Sequence, residues 1–349
     1  MAYMANKKKQ LEKPRKEKDD EYYTLYEDIS AEVSKYKEQL KGKRILCPCD
    51  WDESYNEEIV FKEENHIIET AMFRNNGSIK RVDIDKSKEK FEKDINLVKC
   101  NFVKFLVSLA DVYGIKSISA CGYDPATDQG IKFQNVDYSH YDLVITNPPF
   151  SQFREFIGTM FKNKMEFLVI GPQTAISYKD VFSFIKNNQL WLGYHHHLTG
   201  FHRADGTFLS AKKPEGAIAR SCCWFTNLDV SYRHDQMILS EEYSNEKFPK
   251  YENYDAIEVN KTKNIPCDYD GCMGVPITFL QKYSPEQFEI IGLGISNSGL
   301  EIGVQPYKNE HKKYRKEIQK RGAVDGDLYM MINEVVTVPF ARILIRKKG

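Results

Sequence analysis

Short apolar segments alternate with amphipathic segments between residues 44 and 227, and this alternation constrains the fold more than any other feature of the sequence. Strands that are buried on both faces are apolar throughout, as in parallel sheets covered by helices. The predicted strands are 44–47, 117–121, 142–146, 166–171, 190–194 and 219–227, and the predicted helices between them are 92–113, 151–163 and 178–188. Alternation of strand and helix predicts an α/β fold built on a doubly wound, Rossmann-like sheet.

The helices are predicted from apolar residues that recur every three or four positions. In the helix at 92–113 these residues are Ile95, Val98, Phe102, Phe105, Leu106 and Leu109. Gly114 is suited to end that helix, because glycine readily adopts a positive φ. In the helix at 151–163 they are Phe153, Phe156, Ile157 and Met160. Each of these helices therefore has one apolar face to bury against the sheet.

The organisation of the chain changes near residue 230. The last two predicted strands are joined by a long polar loop at 195–218, which favours an antiparallel pair at one edge of the sheet. Beyond 230, strands and turns replace the alternation and end in a strand at 342–347, which predicts a β-rich C-terminal region. We therefore predict a basic disordered tail at 1–18, a main domain at 19–230 and a C-terminal region at 231–349.

Composition and charge exclude several classes of protein. The apolar segments are too short to span a bilayer, and no apolar stretch follows the basic N-terminus, so we expect a cytoplasmic protein. The 50 basic and 50 acidic residues balance, so a nucleic-acid partner requires local basic patches. Six of the eight cysteines occur as Cys-x-Cys, Cys-Cys and Cys-x4-Cys rather than in zinc-type pairs, and we predict free thiols and no metal.

The segment "DLVITNPPF" joins a predicted buried strand directly to Asn147-Pro148-Pro149-Phe150. The Asn147 amide oxygen and a carbonyl of the proline pair can accept both hydrogens of an exocyclic amine. Prolines hold such carbonyls in a fixed position, and Phe150 can stack on the ring that carries the amine. A base inside a duplex cannot reach this pocket, so it would have to be flipped out.

These segments allow other interpretations. Asn147 could simply cap the next helix, but the strand before it and the helix after it favour a site at the sheet edge. Pro-Cys pairs at 48–49 and 266–267 suggest a cysteine nucleophile for a ring carbon, yet neither pair lies at the end of the 142–146 strand. The glycine-rich stretch at 292–299 lacks the strand-to-helix setting of a phosphate-binding loop.

Several segments resemble one family. "NPPF" after a strand resembles the catalytic motif of amino-methyltransferases that use S-adenosylmethionine, and its Phe is typical of N6-adenine DNA enzymes. Further matches identify the EcoRI-type adenine-specific DNA methyltransferases, and they are "DDEYYTLYEDI" (19–29), "KRILCPCDWDES" (43–54), "RSCCWFTNLD" (220–229) and "MGVPITFLQKYSPEQFEIIG" (273–292). The resemblance implies a Rossmann-like methyltransferase domain and a C-terminal target-recognition region.

The resemblance also implies roles for individual residues. The catalytic residues would be Asn147, Pro148, Pro149 and Phe150. The residues that bind S-adenosylmethionine would be Tyr22, Tyr23, Thr24, Cys47, Pro48, Cys49 and Asp50, with Tyr123 or Asp124 at the ribose and Asp137 at the adenine ring. The stretch "CPCDWDES" lacks the glycines of a general cofactor loop, and the EcoRI-type family is similarly glycine-poor there. The segment 55–91 is expected to be an insertion.

Double-stranded DNA is the partner that this resemblance implies. The residues assigned to it are His197, Arg203, Lys212, Lys213 and Arg220, although ordinary surface charge explains them equally well. A monomer is expected, with a restriction endonuclease in the same system but no stable complex. Two alternatives stay open: a related amino-methyltransferase acting on RNA, cytosine N4 or a protein amide, and a non-catalytic DNA-binding module with the same fold.

Overall fold

The computed structural model describes residues 22–50, 57–62, 67–73, 79–85, 100–124, 128–203 and 205–349, and the predicted tail at 1–18 lies outside them. The protein is a mixed α/β chain with several sheets. It divides into two compact units, of which the first is Met1–Pro172 with His197–Cys222 and the second is Gln173–His196 with Cys223–Gly349. The predicted boundary at residue 230 stays a prediction.

The elements are numbered in chain order. The strands are β1 (Tyr22–Thr24), β2 (Arg44–Cys47), β3 (Glu57–Lys62), β4 (Ile67–Phe73), β5 (Ile79–Asp85), β6 (Ser117–Ala120), β7 (Tyr123–Asp124), β8 (Gln129–Gly130), β9 (Leu143–Thr146), β10 (Glu166–Pro172), β11 (Trp191–Leu192), β12 (Gly200–Arg203), β13 (Phe208–Ser210), β14 (Cys222–Thr226), β15 (Ile257–Glu258), β16 (Met273–Pro276), β17 (Phe288–Leu293), β18 (Met330–Ile332), β19 (Val335–Thr337) and β20 (Arg342–Lys347). The α-helices are α1 (Tyr26–Val33), α2 (Lys37–Leu40), α3 (Asn101–Tyr113), α4 (Phe153–Lys162), α5 (Lys179–Lys186), α6 (Ala217–Arg220), α7 (Ser296–Glu301) and α8 (Asn309–Glu317).

Four parallel strands form the centre of the first unit, in the order β10-β9-β2-β6. Their register places Ile45 opposite both Ile118 and Leu143, and Leu168 opposite Ile145. All four residues of β9 are buried, as a strand covered on both faces should be. Because the strands are parallel, their carboxyl ends meet at one edge, where ligands bind in sheets of this kind.

Two helices of the first unit agree with the sequence, α4 in its apolar face and α3 in the residue that ends it. Helix α4 buries the four residues predicted for it, Phe153, Phe156, Ile157 and Met160. Helix α3 ends at Gly114, whose φ of 62° lets its N–H reach the carbonyls of Ala110 and Asp111. The predicted start of that helix, at 92–99, lies outside the described residues.

One glycine sets how closely α4 approaches the sheet. A Cβ on Gly171 in β10 would lie 2.2 to 2.8 Å from three atoms of the fully buried Phe153 ring. We expect Gly171→Ala to lower the free energy of unfolding by about 1–3 kcal/mol, because overpacking displaces a ring that has no room to move. Chemical denaturation measures this difference.

Gly158→Ala is the matched control for that substitution. Gly158 lies inside α4, and a Cβ there would meet no atom within 4 Å. The control should be neutral or stabilise the protein by up to about 1 kcal/mol, because alanine is the better helix former. If Gly171→Ala unfolds at the same denaturant concentration as the parent, the Phe153 ring has room to move and the packing of α4 on β10 is looser than these distances indicate.

The prediction of a polar loop at 195–218 is wrong, because this segment contains two strands. It contains the hairpin β12–β13, in which Phe201 pairs with Leu209, and β1 pairs antiparallel with β12. Phe201 and Leu209 are buried while His202 and Phe208 face outward, so the strand alternation is present but interrupted by polar neighbours. Ala219 and Arg220, predicted to be strand, lie in α6, because the turn Pro214–Gly216 leads directly into a helix.

The second unit is built on the sheet β15-β16-β20-β17. Strand β20 pairs antiparallel with both β16 and β17, and the predicted strand at 342–347 is confirmed. Buried Arg342 forms an ion pair with buried Glu258, with Nη2 and Oε1 2.6 Å apart. In the same unit, β11 and β14 pair antiparallel, with Trp191 opposite Thr226.

Candidate active site

The end of β9 presents the amide of Asn147. Its Nδ2 donates a hydrogen bond to the carbonyl of Tyr22 in β1, with 2.7 Å between the two atoms. This bond fixes the amide so that Oδ1 points the other way. Asn147 Oδ1 is buried and accepts no hydrogen bond from any residue that the structure describes. Leaving such an acceptor unpaired costs about 1–3 kcal/mol, so Oδ1 is suited to accept a hydrogen bond from a bound ligand.

Three aromatic rings pack together where β1 meets the segment after β9. The rings of Tyr22 and Phe150 are stacked, with centroids 5.8 Å apart and an angle of 18° between their planes. Phe201 packs against both, with its centroid 5.4 Å from Tyr22 and 6.1 Å from Phe150. Phe150 is only half-buried, so part of its face is available to a planar ligand.

A carboxylate lies at the neighbouring strand end. Asp50 follows β2 and accepts a hydrogen bond from Thr146 Oγ1, with 2.6 Å between the oxygens. Its backbone N–H donates to the carbonyl of Cys121, which ties it to the end of β6. Burial raises the pKa of Asp50 to about 7, and hydrogen bonds from Thr146 and Cys100 counteract only part of this effect. The carboxyl group can therefore change its charge near neutral pH.

The thiols beside Asp50 are poor nucleophiles. Burial raises the pKa of Cys47, Cys49 and Cys100 well above the ordinary value, and the charge of Asp50 adds to the effect. A thiol with a raised pKa stays protonated, whereas nucleophilic cysteines need a lowered one. This argues against Cys49 as the nucleophile of a Pro-Cys pair.

Strand β1 contains a second buried side-chain oxygen, Thr24 Oγ1, to set beside that of Asn147. Thr24 is buried, and its Oγ1 has no hydrogen-bond partner among the described residues. Its carbonyl accepts a hydrogen bond from Asn101 Nδ2 at 2.8 Å, which holds β1 to the first turn of α3. Tyr23, between Tyr22 and Thr24, is exposed.

Three residues predicted to contact the cofactor interact with residues close to them in the sequence. Tyr123 donates from its hydroxyl to Asp128 at 2.6 Å, and Asp124 pairs with Gln129 through strands β7 and β8. Exposed Asp137 accepts hydrogen bonds from the N–H and hydroxyl of Ser139, which lower its pKa. Their assignment to the cofactor stays a prediction.

The residues predicted to contact DNA differ in their surroundings. His197 Nδ1 lies 2.8 Å from the Arg220 carbonyl, and the Arg220 guanidinium donates to the carbonyls of Ala211 and Lys213. Arg220 therefore braces its own segment. Exposed Arg203 lies opposite Tyr22 in the β1–β12 register. Lys212 and Lys213 are exposed after β13.

Three residues of this arrangement escaped the sequence analysis. They are Thr146, Asn101 and Phe201, which contact Asp50, Thr24 and Tyr22 respectively. Thr146 could have been found, because a hydroxyl residue at the carboxyl end of an apolar strand faces the ligand edge. Asn101 and Phe201 carry no such signal, because their contacts join distant parts of the chain.

A buried amide oxygen that accepts no hydrogen bond within the described residues, beside prolines and an aromatic ring, fits a methyltransferase of the class that acts on an exocyclic amine. Sequence comparison agrees: the model of a family described as "Adenine-specific methyltransferase EcoRI" matches residues 10–348. This chain belongs to the EcoRI-type family of adenine-specific methyltransferases, which confirms the family predicted from its motifs.

Two curated relatives show the extent of the match. The Type II methyltransferase M.EcoRI of Escherichia coli is 36% identical over 331 residues, which cover 86% of this chain and 94% of the relative. The Type II methyltransferase M.MpnI of Mycoplasma pneumoniae is 32% identical over 292 residues, covering 79% of this chain and 83% of the relative. No solved structure is significantly similar to the chain.

Two negative findings concern only the described residues. Within them, no group of three or more His, Cys, Asp and Glu side chains is arranged to hold a metal ion. No helix in the described part of the chain is long and apolar enough to cross a membrane.

Proposed function

We propose that this chain is a site-specific DNA methyltransferase that transfers a methyl group from S-adenosylmethionine to N6 of an adenine flipped out of double-stranded DNA. The observation that carries the proposal is the buried Asn147 Oδ1, which lacks a donor within the described chain. An adenine amine supplies that donor. Phe150 is the ring against which the flipped base stacks.

The proposed mechanism follows from the positions of these groups. Asn147 Oδ1 and the Pro148 carbonyl accept the two N6 hydrogens, which directs the nitrogen lone pair out of the ring plane. Proline at 149 fixes the backbone after Pro148, with φ of −55° and ψ of 123°. Positioning of this kind needs no covalent intermediate with the protein. The N6 proton leaves after transfer, to water.

The proposed cofactor fits the residues at the strand ends. S-adenosylmethionine supplies an electrophilic methyl group when it is bound. Asp50 would hold its hydroxyl or ammonium groups. Thr24 Oγ1 is buried without a hydrogen-bond partner among the described residues, so it would be a second polar contact. Tyr22 and Tyr23 precede Thr24 in β1. Cys47 ends β2, and Pro48 and Cys49 lead from it to Asp50. The proposed sheet is a doubly wound Rossmann-like sheet with an antiparallel edge.

The raised pKa of Asp50 predicts pH-dependent cofactor affinity. Only the carboxylate form binds hydroxyl and ammonium donors strongly. The pKa of Asp50 is about 7, so this form becomes scarce as the pH falls below that value. We expect the affinity for S-adenosylmethionine to rise about 10-fold from about pH 6 to about pH 8, because each unit below the pKa costs up to a factor of ten. Calorimetric titration measures it.

Asp50→Asn is the control for this prediction. It should bind the cofactor weakly and with little dependence on pH, because the amide does not titrate in this range. A slope that persists unchanged in Asp50→Asn would arise from the cofactor itself and would contradict the role given to Asp50.

The substrate is tested by identifying the methylated product. Purified protein is incubated with duplex DNA and cofactor carrying a labelled methyl group, and the DNA is digested to nucleosides. Label in N6-methyladenine supports the proposal. Label in N4-methylcytosine, or label only in RNA or protein offered in parallel, would support the alternative amino-methyltransferases. Cofactor binding without transfer to any of them would support a non-catalytic DNA-binding module.

The remaining proposals concern partners and location. The relatives are named Type II methyltransferases, which supports a role in restriction–modification. We propose that the chain acts as a cytoplasmic monomer, and that a restriction endonuclease of the same system reads the same site without forming a stable complex. Size-exclusion chromatography with light scattering tests the monomer.

A further inference from the structure

A basic segment in the second unit is not used by the proposed active site. Residues 308–321 contain seven lysines and arginines against two glutamates, in a chain whose net charge is zero. Ion pairs occupy part of this charge: Lys308 with Glu252, Lys312 with Asp325 and Lys313 with Glu317. Exposed Lys316, Lys320 and Arg321 have no acidic partner in the part of the chain that the structure describes.

This basic segment is held on a packed base. Gln319 Nε2 donates to the Val336 carbonyl in β19 at 2.9 Å, which docks the end of α8 on the β18–β19 hairpin. Under the helix, the rings of Tyr307 and Tyr329 stack with centroids 4.2 Å apart, and Tyr314 packs against the same cluster. The three unpaired cations therefore extend from a surface of fixed shape.

Phe340 follows the cluster residue Val338 by two positions and has its ring in solvent. The ring is 93% exposed, more than any other aromatic ring among the exposed apolar side chains of the described residues. Its backbone is nevertheless anchored on both sides. Val338 packs into the tyrosine cluster, and Arg342, whose Nη1 donates to the Phe340 carbonyl at 3.2 Å, is buried against Glu258. An exposed ring on an anchored backbone can contact a ligand with little further ordering of the chain.

The chemistry of the surface decides what that contact is. Three unpaired cations and an exposed ring, carried by segments that pack on the same tyrosine cluster, match a polyanion that carries flat apolar groups. Duplex DNA provides phosphates for the cations and base faces or sugars for the ring, and DNA-binding proteins insert apolar side chains at base steps. A protein partner would have to bury the three charges, which is costly without acidic groups to pair with them.

We propose that Lys316, Lys320 and Arg321 contact the phosphates of the substrate duplex and that Phe340 packs against its bases. This inference rests on the proposed function, because it takes duplex DNA as the substrate. It names particular residues within the C-terminal region that the sequence predicts to recognise the target, whereas the individual contacts predicted earlier, His197, Arg203, Lys212, Lys213 and Arg220, all belong to the first unit.

The test compares duplex binding by two variants at several salt concentrations. The first replaces Lys316, Lys320 and Arg321 by glutamine, and the second is Phe340→Ala. Each phosphate contact contributes about 0.9 to the slope of log affinity against log salt, so the triple variant should lose about 2.7. Phe340→Ala should weaken binding about 10-fold, and Phe340→Trp should restore it, because stacking tolerates a change of ring.

Matched controls are available in the same unit. Lys261, Lys263 and Lys282 are exposed lysines whose replacement by glutamine removes the same charge elsewhere. Ile238→Ala removes another highly exposed apolar side chain. All variants should bind S-adenosylmethionine like the parent, which shows that each is folded.

The outcomes separate this inference from the proposed function. A slope unchanged in the triple variant, or reduced equally in the lysine control, would overturn the phosphate contacts. Binding by Phe340→Ala equal to that of the parent would overturn the role of the ring. If the parent binds duplex DNA but leaves adenine unmethylated, the proposed function fails, while the salt slope still decides whether this surface binds DNA.

Discussion

Replacing Asn147 by alanine should lower the rate of methyl transfer by at least about 100-fold, the scale seen when one positioned polar group is removed from an active site. The substitution removes the buried Oδ1 that is left without a donor in the described chain. The amine would then keep its lone pair conjugated with the ring. Affinity for S-adenosylmethionine should change little, because the proposed cofactor contacts Asp50 and Thr24 are held by other hydrogen bonds, from Thr146 and Asn101. Single-turnover kinetics and calorimetry measure the two quantities.

Two further variants make this result specific. Asn147→Asp keeps the acceptor oxygens but loses the donor to the Tyr22 carbonyl, so its rate should lie between those of the parent and the alanine variant. Asn163→Ala removes another asparagine of the first unit, whose Nδ2 donates to the Thr159 carbonyl, and should leave transfer unchanged. Transfer by Asn147→Ala at the parental rate would show that Oδ1 does not hold the amine.

Phe150→Ala should lower kcat/KM for duplex DNA about 10- to 100-fold, because stacking of a base on an aromatic ring contributes about 1–3 kcal/mol. The ring is half-buried and stacks on Tyr22. Its removal therefore takes away the aromatic surface on which the flipped base is proposed to stack. Steady-state kinetics with a duplex of known methylation site measures the effect.

The ring, rather than its apolar area, is the feature under test at Phe150. Phe150→Tyr keeps the ring and should retain most of the activity. Phe150→Leu keeps a large apolar side chain without a π-face and should resemble Phe150→Ala. Activity of Phe150→Leu close to that of the parent would mean that Phe150 serves only to fill space.

The sequence predicted the parts of the fold that depend on local pattern. Strands β2 and β9 and helix α4 were recovered because buried parallel strands are apolar throughout and amphipathic helices repeat every three or four residues. The structure places Asn147–Phe150 directly after β9, as predicted, and the catalytic role of these four residues stays a prediction.

Contacts between distant residues could not be predicted in this way. Asn147 and Tyr22 are 125 residues apart, and Thr146 and Asp50 are 96 apart. The hairpin β12–β13 was missed because only Phe201 and Leu209 face inward, among polar neighbours. Such contacts depend on how the sheet assembles, and no periodicity in a single segment records that.

The most direct test of the proposed activity is sequencing of native DNA, with detection of modified bases, from a methylation-free host that expresses this chain. The Asn147→Ala variant, expressed to the same level, is the control. We predict N6-methyladenine at one recurrent sequence with the parent and its near absence with the variant. Soluble protein that binds S-adenosylmethionine but leaves every adenine unmodified would contradict the assignment of DNA adenine as the substrate.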